Sequence, residues 1–127
     1  MSKPIKPSKL GNQIQKAIKN SFNGETFWMT AEIINVKKYP EKKWCFLTLV
    51  GKNDDGTTTE EFRGNFWSNS YNNIEMYEKI TGQTFASGLE ITCRVRVTFH
   101  KRYGINLDIF EIDQTLSRML NIHNSPD

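Results

Sequence analysis

The chain has 127 residues, of which 37% are hydrophobic, 12% aromatic and 24% charged, with a net charge of +3. That length builds one core but not two, and the balance of apolar and charged residues excludes wholesale disorder. No apolar run approaches the ~20 residues of a bilayer span, and the opening stretch MSKPIKPSKLGNQ lacks the apolar segment of a secretory signal, so a cytoplasmic protein is expected, with no membrane partner.

The charge is unevenly spread. Residues 1–53 carry ten lysines against three acids, residues 54–90 two cations against seven acids, and residues 91–127 five against four. Two basic regions therefore flank an acidic middle. Lysines that merely solubilise loops would give a similar count, so charge alone does not identify a partner.

Residues 1–8 carry two prolines and two lysines and are expected to form a flexible N-terminal arm. Ser8 can cap a helix that follows, in which Leu10, Ile14, Ala17, Ile18 and Phe22 recur every three or four residues and Asn23-Gly24 supplies a left-handed stop. From Thr26 the apolar period changes to two. Phe27, Met29, Ala31 and Ile33 fall on one side of a long strand that should curve, and YPEKK makes the next turn. KWCFLTLVG reads as a second strand, NDDG as a hairpin turn, and TTTEEFRGNFW as a third strand with Phe62, Gly64 and Phe66 on one face and Arg63, Asn65 and Trp67 on the other.

The spacing of Ile74, Tyr77 and Ile80 predicts a helix over 70–81, ended by Gly82. GLEITCRVRVTFH is a fourth strand with Leu89, Ile91, Cys93, Val95, Val97 and Phe99 inward and Arg94, Arg96, Thr98 and His100 outward. After the turn HKRYG, INLDIFEI gives a fifth strand, and residues 117–127 form a tail or linker that could begin a short helix. Helix, three strands, helix, two strands is the element order of the OB-fold, a mainly β, five-stranded Greek-key barrel. A small β-sandwich or an SH3-like barrel remains open. The domain is expected to span residues 9–116, leading helix included.

In such a barrel KKYPEKKW becomes the 1–2 loop and HKRYG the 4–5 loop, both bordering one groove. Together they supply Lys37, Lys38, Lys42, Lys43, Lys101 and Arg102, with Tyr39, Trp44 and Tyr103 interleaved. Single-stranded nucleic acid requires that mixture, because cations track phosphates while flat rings stack on unpaired bases. A bare hairpin turn needs only Gly104, not two cations beside an aromatic. Arg63 is exposed by alternation, although Glu61 two positions away can pair with it.

Nothing in the sequence points to catalysis. There is no Gly-rich phosphate loop, nucleophile elbow or carboxylate cluster at metal spacing. Asp54-Asp55 lies in a turn, and Asp108 and Glu111 are expected on opposite sides of the fifth strand. His100 and His123 are isolated, and Cys45 and Cys93 sit in apolar alternating runs as core residues without any CxxC spacing. No catalytic residue, metal or cofactor is therefore expected.

The segments FWMTAEIINVKKY, KWCFLTL, FRGN and GLEITCRVRVTFHKRYGINL, with the following EID, resemble the amino-terminal OB domain of the exodeoxyribonuclease VII large subunit. The resemblance covers roughly residues 10 to 116. It is carried by Ala17-Ile18-Lys19 in the leading helix, Ala31-Glu32-Ile33-Ile34-Asn35 in strand 1, Trp44 and Phe46 in strand 2, Phe62 to Asn65 in strand 3, and Phe99 to Gly104 around the 4–5 loop. It implies a non-catalytic domain that holds single-stranded DNA for a nuclease, adding Phe46, Arg63 and Asn65 to the candidate contacts and the rest of an exonuclease VII-like complex to the partners. The chain departs from the family pattern at Glu60-Glu61 and in a longer segment from Ser68 to Ala86. Two alternatives stand beside this reading: an RNA-binding domain of the tRNA-anticodon type, and an assembly domain that uses Ser68 to Gly88 and binds no nucleic acid.

Overall fold

A computed structural model describes residues 3–115; the expected tail of residues 117–127, including His123, lies outside them. The elements are α1 (Pro7–Phe22), β1 (Thr26–Tyr39), β2 (Trp44–Lys52), β3 (Thr58–Phe66), α2 (Asn72–Thr81), β4 (Glu90–His100) and β5 (Gly104–Ile112). The strands close into a barrel in the order β1-β2-β3-β5-β4, and β4 returns to β1. Every pairing is antiparallel except β3 with β5, which run parallel through Gly64 opposite Leu107 and Asn65 opposite Asp108. This is the OB-fold topology expected from the element order.

Alternation sets the barrel interior. Ile33, Cys45, Leu47, Leu49, Phe66, Ile91, Cys93, Val95, Leu107 and Ile109 are buried, and Ile74, Tyr77 and Phe85 plug one end from α2 and the loop after it. Phe85 meets Phe66 and Tyr77 edge-on at 5.8 and 5.7 Å between ring centroids. Gly64 sits where β3 and β5 converge, and a Cβ there would lie 3.1–3.3 Å from methyls of Leu49, Ile109 and Leu47. Both cysteines are free core residues, and burial pushes the Cys45 thiol up to about 11 and the Cys93 thiol up to about 12.

The long first strand curves through an irregularity between Ile34 and Lys37, where Asn35 takes φ 54°. One extra residue bends a strand and lets it pair with β4 at its start and β2 at its end.

Several expectations change on folding. α1 begins at Pro7, not after Ser8; proline fills the first helical position and no side chain caps the end, so Ser8 lies inside the first turn. The stop is as expected, with Asn23 left-handed and its N–H bonded to the Lys19 carbonyl. The apolar stripe of α1 is only lightly covered, since Leu10 and Ile14 stay exposed and no α1 residue is buried. α2 starts at Asn72 and buries Ile74 and Tyr77, whereas Ile80 is exposed. Asp108 and Glu111 do not face opposite ways. A register shift opposite Arg94 and Val95 places Asp108 across from Arg96 and Glu111 across from Arg94, so both acids reach the outer arginines.

Candidate nucleic-acid interface

The outward residues of β2, β3 and β5 line up in register. Phe46 pairs with Asn65, Asn65 with Asp108, and Asp108 with Arg96, which makes one continuous row across four strands. Along this row and toward the 4–5 loop runs a groove of about 520 Å³, walled by Phe46, Arg63, Asn65, Trp67, Phe99, His100, Tyr103, Ile105, Asn106 and Asp108.

Its floor is a polar network tied to one carboxylate. Asp108 Oδ1 accepts from Asn65 Nδ2 at 3.1 Å, from Trp67 Nε1 at 3.1 Å and from Asn106 Nδ2 at 3.3 Å, and Asn106 Nδ2 also donates to Asn65 Oδ1. Asn65 is only 2% exposed, so these bonds satisfy an amide that would otherwise be costly to bury.

One wall is aromatic. Trp67 meets Trp44 edge-on at 5.6 Å and Phe46 at 5.7 Å, and Phe46 meets Tyr39 at 5.8 Å, all near-perpendicular. Edge-to-face packing fixes each ring while leaving faces uncovered. Trp44 and Tyr39 are half-buried, whereas Phe46 and Trp67 are exposed. Lys42 Nζ lies 4.8 Å from the Trp44 ring and Lys37 Nζ 5.6 Å from Tyr39, so two cations sit directly on the aromatic cluster.

The opposite wall is the 4–5 loop. Gly104, at φ 87°, makes the turn. The His100 and Tyr103 rings stack at 4.7 Å with 26° between planes, and His100 Nδ1 accepts from the Arg102 backbone N–H at 3.1 Å. Tyr103 nevertheless remains 62% exposed. From behind, α1 braces this loop: a Cβ on Gly11 would touch the Lys101 stem at 3.5 Å.

The candidate residues divide into three groups. Phe46, Arg63, Asn65 and Tyr103 line the groove. Tyr39, Trp44, Lys37 and Lys42 gather at its aromatic rim, and Lys101 and Arg102 stand on the 4–5 loop. Lys38 and Lys43 turn instead toward α2, where Lys38 Nζ meets Glu78 Oε2 at 2.7 Å and Lys43 Nζ meets Glu75 Oε2 at 2.9 Å. The bond to Glu75 raises the Lys43 pKa against an opposing desolvation. Arg63 does not pair with Glu61; it has no ion pair among the described residues.

Trp67, Asn106, His100, Phe99 and Ile105 join the site without having been singled out for it. Trp67 was accessible to sequence reasoning, since alternation puts it on the face of Arg63 and Asn65. Phe99 and Ile105 instead read as core supports of the hairpin, yet the barrel mouth leaves both on the groove wall and Ile105 exposed.

The family model for the OB-fold nucleic acid binding domain matches residues 6–113. The chain belongs to that family. Solved structures similar to this OB domain include the N-terminal domain of PriB from Thermoanaerobacter tencongensis, at 10% identity and a TM-score of 0.47, covering 72% of this chain and 94% of that one. Rim1, a mitochondrial single-stranded DNA binding protein from S. cerevisiae, matches at 9% identity and 0.47, covering 71% and 92%. A small single-stranded DNA binding protein from Mycoplasma pneumoniae matches at 12% and 0.42, covering 68% and 89%. No curated protein matches the sequence. No helix among the described residues of the OB domain is long and apolar enough to cross a membrane.

Proposed function

We propose that this OB domain binds single-stranded DNA in the groove between the aromatic rim and the 4–5 loop. One observation carries the reading: Phe46 and Trp67 present exposed rings at a groove that also contains Arg63, a cation with no ion pair among the described residues. Bases stack on the rings, at about 1–3 kcal/mol each, and Arg63, Lys37, Lys42, Lys101 and Arg102 neutralise the passing phosphates. A duplex keeps its base faces hidden and gains only the charge term.

The resemblance to the exodeoxyribonuclease VII large subunit supports a more specific role: the domain grips the substrate strand for a nuclease whose chemistry lies in other domains or subunits. The residues that carry the resemblance in strands 2 and 3, Trp44, Phe46, Arg63 and Asn65, cluster at or beside the groove. The domain itself supplies binding, not catalysis.

The test is a titration with matched single-stranded DNA, single-stranded RNA and duplex oligomers at two salt concentrations, following tryptophan emission. Trp44 and Trp67 lie at the site, so quenching by single-stranded DNA is the expected result. Tighter binding of duplex would sink the groove model, tighter binding of RNA would move the substrate class, and silence at low salt would reject nucleic-acid binding altogether. Co-purification with a nuclease subunit of the exonuclease VII type checks the narrower role.

A further inference from the structure

The outward row of residues does not end at the groove floor. Beyond Asp108 it reaches Arg96, and two residues back along β4 stands Arg94, across from Trp28 on β1. Both guanidiniums converge on one ring: Arg96 Cζ lies 4.9 Å and Arg94 Cζ 5.4 Å from the Phe110 centroid. Trp28 beside them is 52% exposed and, on the same outward face, Arg94 Nη1 donates to Thr26 Oγ1 at 3.4 Å.

We propose that a single strand leaving the groove continues over this surface, with Arg94, Arg96, Phe110 and Trp28 forming a second subsite. The inference rests on the groove being a single-stranded DNA site, and it adds where the strand goes next. Two features favour a phosphate-bearing, base-bearing occupant. Arg94 has a close carboxylate partner in Glu111 at 2.9 Å, but the nearest acid to Arg96, Asp108, is at 3.7 Å, beyond the ~2.7–2.9 Å of a charge-assisted bond. Asp108 is also already held by three donors through its other oxygen. Arg96 therefore keeps donors for a phosphate. Finally, guanidinium planes lying near a phenyl ring, with an indole alongside, provide flat surfaces on which unpaired bases stack. Continuity with the groove through the Asp108–Arg96 register pair selects DNA over an unrelated acidic protein.

The experiment compares oligothymidylates of about 4 and about 12 nucleotides, one at the short end of and one well inside the ~4–16 nucleotides covered by one OB domain. In a Trp28→Leu, Arg94→Ala double variant the long oligomer should lose about tenfold in affinity, chiefly through the lost Trp28 stack. Its salt slope should fall by less than the ~0.7 of a full phosphate contact, because Glu111 already partners Arg94, and the short oligomer should bind as before. Arg96 is left intact because it contacts the groove floor. Glu111→Gln tests the same surface with the opposite sign: freeing Arg94 should raise long-oligomer affinity about twofold to fivefold, a result misfolding cannot imitate. Equal loss for both lengths, or no change for the long one in either variant, overturns the second subsite while leaving the groove. Failure of the unaltered protein to bind either length overturns the groove reading first and this inference with it.

Discussion

Trp67 Nε1–H donates to Asp108 Oδ1 at 3.1 Å, so an indole just past the end of β3 is anchored to the middle of β5. The bond orients the ring against Trp44 and Phe46 and joins the aromatic wall of the groove to its polar floor. Replacing Asp108 by Ala removes the acceptor shared by Trp67, Asn65 and Asn106. The buried Asn65 Nδ2 then lacks its acceptor, at about 1–3 kcal/mol of stability. Urea unfolding should show that loss, and DNA affinity should fall with it; a variant as stable as the parent would show that the network holds nothing in place.

Tyr103 is exposed, and its ring meets His100 and Arg102 of its own hairpin, so changing it should act on binding and not on folding. Tyr103→Ala is expected to weaken single-stranded DNA binding by about 1–3 kcal/mol with an unchanged unfolding midpoint. The triple alanine variant of Lys101, Arg102 and Tyr103 should lose more and should also show a shallower salt dependence. Equal binding by the triple variant removes the 4–5 loop from the site.

Among the basic residues, pairing decides which respond to salt. Arg63→Ala should reduce the salt slope by about 0.7, the share of one phosphate contact on a single strand. Lys38→Ala and Lys43→Ala should change it less, because Glu78 and Glu75 already partner those ammonium groups. Binding measured between about 50 and 200 mM salt separates the two classes.

Glu78 ties α2 to the barrel. Burial alone would raise its pKa, but Lys38 and the Phe85 N–H, which donates to Glu78 Oε2 at 2.8 Å, together hold it below the ordinary carboxylate value. A carboxylate depressed in the folded state contributes stability above its unfolded pKa, and that contribution is lost as pH falls through the folded pKa. Acidification below about 4.5 should therefore lower the urea midpoint more in the parent than in Glu78→Gln. Parallel pH profiles would contradict this.

Gly64→Ala places a methyl among Leu47, Leu49 and Ile109 where β3 closes on β5. Overpacking of that kind costs about 1–3 kcal/mol, read as a lower urea midpoint.

The sequence by itself determined the strands, most of their inward faces and the turns. Period-two runs such as WCFLTLV bury one side wherever they pair, and Asn23 with Gly82 and Gly104 stop elements through local backbone geometry. The order of those elements was enough for the barrel, and the barrel set the aromatic rim around residues 39–46 and the 100–104 loop on opposite sides of one groove. Local pattern could not reach what depends on closure. Asn65 and Asp108 are 43 residues apart and meet only because β3 and β5 run parallel. The register shift opposite Arg94 turns Glu111 to the same face as Asp108, against strict alternation. Lys38 and Lys43 are drawn from the loop to α2 by acids more than thirty residues away. Periodicity is a property of neighbours along the chain, whereas ion pairs, shared acceptors and ring contacts are properties of neighbours in space, and only the folded barrel decided those.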